Sequence, residues 1–470
     1  MRPYLLALLL LACSPSPLHA AEAERYNIIA IVTDDQARWA VGAYGNREVR
    51  TPHMDRLARE GATFLNAFVP TPVCSPSRVS FLTGLYGTQV GITDYLYRTE
   101  EQAGLGLPSS AITWPAVLKS HGYATALLGK WHLGTQPQFH PTRHGYDHFY
   151  GWLHTPQSID PVLEVNGKLT QLKGSLPDLM VDEALRFIRE KREQPFALSI
   201  HFLAPHHPYG PVLEEDSAPF KDLDPTVPML PGLDIEQVKS ITREYYASVH
   251  SVDRNLGRLL KELDGLDLSR KTIVLFTSDH GYMIGHHLMQ HKGNGITIAG
   301  GVRGPTRPNM FEESIRVPLL IRWPGVVKPG TVIRETVSNI DTFASVLGML
   351  NVPIPATVKQ HGADFSPLLR GEKVPWRRDL FGQYDLHNHG LAYLRMIRTD
   401  RWKLIRSYKT NLLDELYNLQ DDPGEMKNRF ADPSTKEVRD ELQKRLDAWM
   451  TSIGDELGTS PKHQTPNTEH

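Results

Sequence analysis

The stretch YNIIAIVTDDQ, residues 26–36, governs how the whole chain is read: Ile28 to Val32 run without a polar break, and two adjacent carboxylates, Asp34 and Asp35, follow at once. A run this short and this uniformly apolar reads as a β-strand buried on both faces. Four further runs share its character: ATALLG (124–129), FALSIHFLA (196–204), TIVLFTS (272–278) and VPLLIRW (317–323). Amphipathic segments at 51–60, 113–121, 178–191, 235–263 and 340–350 fall between them. Strands alternating with helices predict an α/β fold, built on a mostly parallel sheet covered by helices on both faces.

In such a sheet, ligands bind beyond the carboxyl ends of the strands. Those positions are chemically alike here. Asp34 and Asp35 follow the first run, Lys130 and His132 (GKWHLG) the second, His206 and His207 (APHHPY) the third, and Asp279 and His280 (SDHG) the fourth. Taken singly, an Asp after a strand is often a helix cap and a histidine is often a satisfied polar residue. Three carboxylates gathered at one sheet edge repel one another unless a cation lies between them, so a bound metal ion is expected.

At 470 residues the chain has room for one large domain and a smaller one. Its 51 Lys and Arg against 53 Asp and Glu leave no basic surplus, which argues against a nucleic-acid partner or an anionic membrane surface. Residues 1–20, MRPYLLALLLLACSPSPLHA, have the layout of a signal peptide: Arg2, an apolar run at 5–12, then small and turn-forming residues. Cleavage after LHA gives an exported protein, periplasmic or secreted. The alternative lies in LLAC (10–13), close to a lipid-attachment motif, where Cys13 would carry the lipid and tie the chain to a membrane.

Export sharpens the reading of TPVCSPSRVSFLTG, 71–84. Cys74 is the only cysteine beyond residue 13. Exported chains usually pair their thiols, so a lone one is either a small buried hydrophobe or a reactive group. Cys74, Pro76, Ser77, Arg78, Leu82, Thr83 and Gly84 complete the pattern C-x-P-S-R-x-x-x-L-T-G. Through it the chain closely resembles the type I, formylglycine-dependent sulfatases of the alkaline phosphatase superfamily, arylsulfatase A-like in pattern. The resemblance runs from IVTDDQ through LLGKWHLG and FTSDHG to EESIRVPLLIRWPG and DELYNLQDDPGEMKN.

The resemblance implies an alkaline phosphatase-like fold, sulfate-ester hydrolysis and a chemistry for each strand end. Cys74 would be oxidised to Cα-formylglycine by a maturation enzyme, and its hydrate would supply the nucleophile. Asp34, Asp35, Asp279 and His280, with residue 74 itself, would hold a divalent ion. Oxygen ligands favour Ca²⁺, while the imidazole admits Mn²⁺ or another divalent ion. Arg78 and Lys130 would hold the hydrate and the sulfate oxygens, His206 and Lys292 (in MQHKGNG) would serve the leaving alcohol, and His132 would act as base on the second hydroxyl.

The expected organisation is a catalytic domain over 25–375, a small antiparallel subdomain over 376–455 that ends in a helix at 434–453, and a disordered tail over 456–470. A Gly- and Pro-rich insertion follows Lys292. It reads as a solvated loop, or else as a rim from which Arg303 and Arg307 reach an anionic sugar. His387 and His389, in GQYDLHNHG, are likewise substrate contacts or solvated loop residues. The expected substrate is a small-molecule or oligosaccharide sulfate ester, of a carbohydrate before an aryl or steryl group, since no membrane-inserting hairpin is evident. Phosphonate monoester and phosphodiester hydrolysis, which share the modified cysteine, and a saccharide-binding role without catalysis are the alternatives.

Overall fold

The computed structural model describes residues 25–165 and 167–458. The expected signal peptide, with Cys13, and the tail from 459 onward lie outside the described residues. Residues 456–458, read from sequence as part of that tail, form a 3-10 turn whose Leu457 joins the C-terminal core.

Ten strands make the central sheet: Asn27–Thr33 (β1), Ala62–Phe64 (β2), Ala124–Lys130 (β3), His148–Trp152 (β4), Val162–Val165 (β5), Lys168–Gln171 (β6), Phe196–His201 (β7), Thr272–Ser278 (β8), Leu319–Arg322 (β9) and Thr331–Ile333 (β10). Their spatial order is β10-β2-β9-β8-β1-β7-β3-β4-β5-β6. The five central strands β8, β1, β7, β3 and β4 are mutually parallel. β9 runs antiparallel to β8, and β5 and β6 form an antiparallel hairpin at the far edge.

The principal helices are Pro52–Glu60 (α1), Cys74–Thr83 (α2), Trp114–Ser120 (α3), Leu176–Lys191 (α4), Ile235–Gly265 (α5), Thr342–Met349 (α6) and Lys436–Ser452 (α7). The alternation of side chains along β1 divides the core. Ile28, Ala30 and Val32 pack with Leu82 of α2, Trp114 of α3 and Phe343 of α6. Ile29 and Ile31 point the other way, to Leu57 of α1, Met180 of α4 and Leu256 of α5. One apolar run thus seals both faces, which is why it shows no period of two. Helix starts follow from local chemistry as well: the Thr113 hydroxyl accepts the Ala116 N–H at the head of α3, and Pro177 sits in the first turn of α4.

Two readings change. The run 196–204 is a strand only to His201; Phe202–Ala204 continue beyond the sheet into the loop that bears His206. The Gly- and Pro-rich insertion, for which a solvated loop was one reading, is a meander instead. Met283–Ile284, Met289–His291, Asn294–Thr297 and Thr306–Pro308 pair antiparallel in succession. Strands of two to four residues are too short to show a hydrophobic period.

The C-terminal part carries its own antiparallel sheet, Leu380–Leu386 (β11), Ala392–Arg398 (β12), Trp402–Ser407 (β13) and Glu415–Asn418 (β14), in sequential order. α7 covers one face, packing Leu442, Leu446 and Met450 with Ile397, Leu404 and Leu416. Phe381 and Trp449 stack at 5.0 Å.

Candidate active site

Because β8, β1, β7 and β3 are parallel neighbours, their carboxyl ends share one edge of the sheet. Asp34 and Asp35 leave β1, Lys130 ends β3, His206 follows β7, and Asp279 and His280 leave β8. α2 meets this edge with Cys74 in its first turn, and the strand Met289–His291 brings in Lys292. Ser77 anchors the approach: its hydroxyl donates to the carbonyl of Asp279 and accepts from Asn339 Nδ2 at 2.7 Å.

Cys74 is buried, and its Sγ lies 3.3 Å from Lys292 Nζ, 3.3 Å from His280 Nε2 and 3.6 Å from Asp34 Oδ1. Burial and Asp34 oppose ionisation of this thiol. Lys130, Lys292 and His280 outweigh them and hold it well below the usual thiol range. Anionic character at position 74 is therefore stabilised by the chain itself.

The carboxylates are held in ion pairs. Lys130 Nζ is 2.5 Å from Asp34 Oδ2, Lys292 Nζ is 2.6 Å from Asp35 Oδ1, and Arg78 Nη2 is 2.8 Å from Asp279 Oδ2. These pairs leave ligand atoms over. Atoms of Asp34, Cys74, Asp279 and His280 lie within 4.8 Å of one another, and Asp35 Oδ2 is buried with no hydrogen-bond partner. His280 Nδ1–H donates to the carbonyl of Gly281 at 3.0 Å, which turns the Nε2 lone pair toward the carboxylates. Despite burial, the adjacent Asp279 raises His280 to about 9, so the cluster attracts positive charge: without a metal the ring holds a proton on Nε2, which a bound cation would displace to reach the lone pair. Carboxylates, an oriented imidazole and an orphaned oxygen fit a divalent cation.

His132 is set up as an acceptor. Its Nε2–H donates to the carbonyl of Leu96 at 3.1 Å, and Nδ1 is buried without a partner. Burial, then Lys130, lowers its pKa and keeps the ring neutral. His206 is partly exposed, with Nε2 3.8 Å from Asp35 Oδ2. His201, another histidine of this edge, faces inward: Arg78 Nη1 is 3.2 Å from its Nδ1, and it plays a supporting part.

Above these groups opens a cleft of about 560 Å³, which reaches Cys74, Lys130, His132, His206 and Lys292. Of the four rim residues expected from sequence, Arg303 and His389 line it. The other two lie elsewhere. Arg307 sits over the ring of Phe311 at 5.3 Å, and His387 Nε2 pairs with Glu100 Oε1 at 2.7 Å, for both residues outside the cleft lining. The sequence reading missed Tyr95 and Tyr97, which line the cleft beside His389. The aromatic cluster in DYLYR (94–98) was the available signal.

The profile of the Sulfatase family matches residues 26–352, and a second profile, N-sulphoglucosamine sulphohydrolase, C-terminal, matches residues 306–452. A steryl-sulfatase of Mus musculus is 32% identical, over 84% of this chain and 73% of its own. An ulvan-active sulfatase of Formosa agariphila is 31% identical, over 93% and 83%. In fold, the chain is similar to BT4656 in complex with its substrate D-glucosamine-2-N,6-O-disulfate, with a TM-score of 0.81 at 24% identity, over 93% of this chain and 100% of that one. It is also similar, more distantly, to the phosphonate monoester hydrolase of Agrobacterium radiobacter, with a TM-score of 0.66 at 22% identity, over 91% and 96%. With a family match across its whole catalytic sheet, the chain belongs to the sulfatases of the alkaline phosphatase superfamily and is a sulfuric ester hydrolase.

Proposed function

We propose that the protein is an exported sulfatase that removes sulfate from a sulfated carbohydrate, using residue 74 after its conversion to formylglycine. The observation that carries this is the placement of Cys74 Sγ between Lys292 Nζ and His280 Nε2, at 3.3 Å from each, at the floor of a cleft rimmed by tyrosines, histidines and Arg303. Such a rim is polar and hydrogen-bonding, and it suits a sugar better than a sterol. The ulvan-active relative points the same way. Cys74 is 3% exposed, so the maturation enzyme would act before the chain folds.

The matured residue supplies a hydrated aldehyde, with one hydroxyl to attack sulfur and a second whose deprotonation lets sulfate depart. Asp34, Asp35, Asp279 and His280 would hold a divalent cation, calcium by the predominance of oxygen donors, which would supply Lewis acidity that lowers the pKa of a hydroxyl on residue 74. Every other step belongs to the chain. Arg78, pinned by Asp279, and Lys130, pinned by Asp34, present fixed positive charge to the sulfate oxygens, where charge grows in the transition state. Lys292 and His206, which line the cleft with Cys74, would give the leaving alcohol its proton. His132, with Nδ1 unpaired, takes the proton whose loss expels sulfate.

Peptide mass spectrometry of active enzyme tests the nucleophile: an aldehyde in place of the Cys74 thiol is expected, and active protein bearing only the thiol would overturn the reading. Free-sulfate release from sulfated saccharides, compared with turnover of a phosphodiester at equal concentration, tests the ester. Preference for the phosphodiester would move the protein to the phosphonate and phosphodiester hydrolases.

A further inference from the structure

The cleft has features that sulfate cleavage alone does not need. Among the described residues that line it there is no carboxylate, while His207, His291 and Arg303 line it in addition to the catalytic cations. The rings of His207 and His291 lie 5.8 Å apart at 80°. Arg303 is near enough that its charge adds to burial in keeping both imidazoles neutral.

His291 is held by a buried relay. Gln290 Nε2 donates to the Tyr209 hydroxyl at 2.7 Å, the Tyr209 and Tyr282 hydroxyls are 2.8 Å apart, and the Tyr282 hydroxyl is 3.1 Å from His291 Nδ1. An amide nitrogen can only donate. The direction that leaves no hydroxyl hydrogen unpaired therefore runs from Gln290 through Tyr209 and Tyr282 to Nδ1, and His291 must carry its proton on Nε2. Tyr209 and Tyr282 are both buried, so the tautomer is fixed from within the protein. The backbone of His291 has φ of +85°, a left-handed conformation that costs energy in a residue bearing a side chain and clusters at functional sites. A strained, tautomer-locked imidazole beside Lys292 is a ready-made N–H donor.

We propose that His291, Arg303 and His207 form a subsite for a second anionic group, a sulfate or a carboxylate, on the same sugar unit as the ester that is cleaved. The inference rests on the sulfated-carbohydrate reading and narrows it to multiply anionic saccharides. Arg303 supplies the charge and His291 Nε2–H a directed hydrogen bond. Tyr282 is a positioning residue that acts through His291.

Calorimetric titration of the Cys74→Ala protein isolates binding from turnover. The probes are N-acetylglucosamine 6-O-sulfate, D-glucosamine-2-N,6-O-disulfate, and carrageenan- and heparin-derived disaccharides with graded numbers of anionic groups. Within at least one sugar series, a second anion should tighten binding about tenfold or more, the scale of a charged hydrogen bond. Arg303→Gln and His291→Ala should each remove most of that advantage with little change in the melting curve. Tyr282→Phe should reduce it partly and shift the ¹⁵N signals of His291 toward mixed tautomers, which a merely structural role would not do. Should His291→Ala fail to fold, the exposed Arg303 carries the test.

Affinity that ignores the second anion, variants that weaken all probes equally, or no binding to any probe would overturn the inference. Wild-type enzyme that desulfates singly sulfated sugars as fast as doubly sulfated ones would remove the subsite and leave the carbohydrate reading standing. Turnover of aryl or steryl sulfates with no saccharide bound would remove both.

Discussion

Asp35 Oδ2 is buried without a hydrogen-bond partner, a position that costs free energy unless a cation meets it. Chelation should therefore suppress activity and lower thermal stability, by about 2.7 kcal/mol for an ion held at a hundredfold excess over its Kd. Asp35→Asn should reduce the metal content of purified protein more than Lys130→Ala does, while Lys130→Ala should act on turnover; equal metal loss in both would contradict the division between ion-holding and sulfate-holding groups. Cys74→Ala should cut turnover on the order of a thousandfold or more, with the melting temperature kept, since a small buried group is lost. At this scale much was visible beforehand, because Cys74, Arg78, Asp34, Asp35 and Asp279 lie in short local patterns. His387 and Arg307 were not resolvable: a histidine or arginine in a loop carries no local mark of which neighbour it will meet. The unpaired Nδ1 of His132 and the relay behind His291 are tertiary facts, made by contacts across 36 and 81 residues respectively.

Elements show why the sheet edge could be read and the cleft wall could not. A strand buried on both faces announces itself by an unbroken apolar run, and the residues just after it must stand at the ligand-binding edge. The wall depends instead on the turn between β11 and β12 being fastened to the segment 94–100, a loop that runs into the short helix Arg98–Gln102. Asp94, buried, accepts the backbone N–H of Tyr95, His387 and Asn388; Glu100 accepts from His387 Nε2 at 2.7 Å and Asn388 Nδ2 at 3.0 Å. Those bonds place His389 against Tyr95 and Tyr97. Asp94→Ala should therefore raise KM for saccharide by roughly tenfold, since three part-buried backbone amides lose their acceptor, each bond worth about 1 kcal/mol. The His387–Glu100 pair adds a pH dependence. Burial disfavours charge on both; the hydrogen bond to Glu100 raises His387, while Asn388, the Tyr97 amide and His387 lower Glu100. A raised histidine stabilises fully below its unfolded value and loses that effect as pH rises through the folded one. A lowered glutamate stabilises above its unfolded value and loses it as pH falls through the folded one. Protection against hydrogen exchange at 387–391, taken relative to the intrinsic amide rate at each pH, should be greatest between the ordinary glutamate and histidine values and should fall on either side. His387→Gln should flatten the alkaline limb; a profile unchanged by that substitution would show that the pair does not hold the turn.

For the molecule as a whole, the question is what keeps the C-terminal sheet in register with the catalytic sheet, since the cleft draws on both. A buried charge network spans the junction. Lys403, on β13, is fully buried: its Nζ donates to the carbonyl of Met310 at 2.9 Å and forms ion pairs with Glu312 Oε1 at 3.0 Å and Glu425 Oε1 at 2.6 Å. Arg398, on β12, meets Glu312 through Nε at 2.9 Å and Nη2 at 3.0 Å. Glu425 Oε2 in turn accepts the backbone N–H of Glu312 at 2.6 Å. Burial works against the charge of Glu312, and Lys403 and Arg398 overcome it, holding the carboxyl well below its usual range. Glu312 from the catalytic part and Glu425 from the C-terminal part thus share one ammonium, and burial, with Glu312 close by, raises Glu425 to about 8 despite Lys403, so the negative charge rests on Glu312. Lys403→Met keeps the apolar stem and removes only that charge, which leaves Glu425 without its cation and Glu312 with Arg398 and, more loosely, Arg316. Breaking a buried pair from one side costs on the order of 3–5 kcal/mol, because the remaining charge stays desolvated. Chemical denaturation should show that loss. If the junction is the element that opens, saccharide KM should rise while the metal content of the purified protein stays at the wild-type level. A Lys403→Met protein as stable as the parent would mean that the Arg398–Glu312 pair and the apolar contacts suffice to hold the two sheets together. A stable protein with raised KM would instead place the network in the service of cleft geometry rather than of folding.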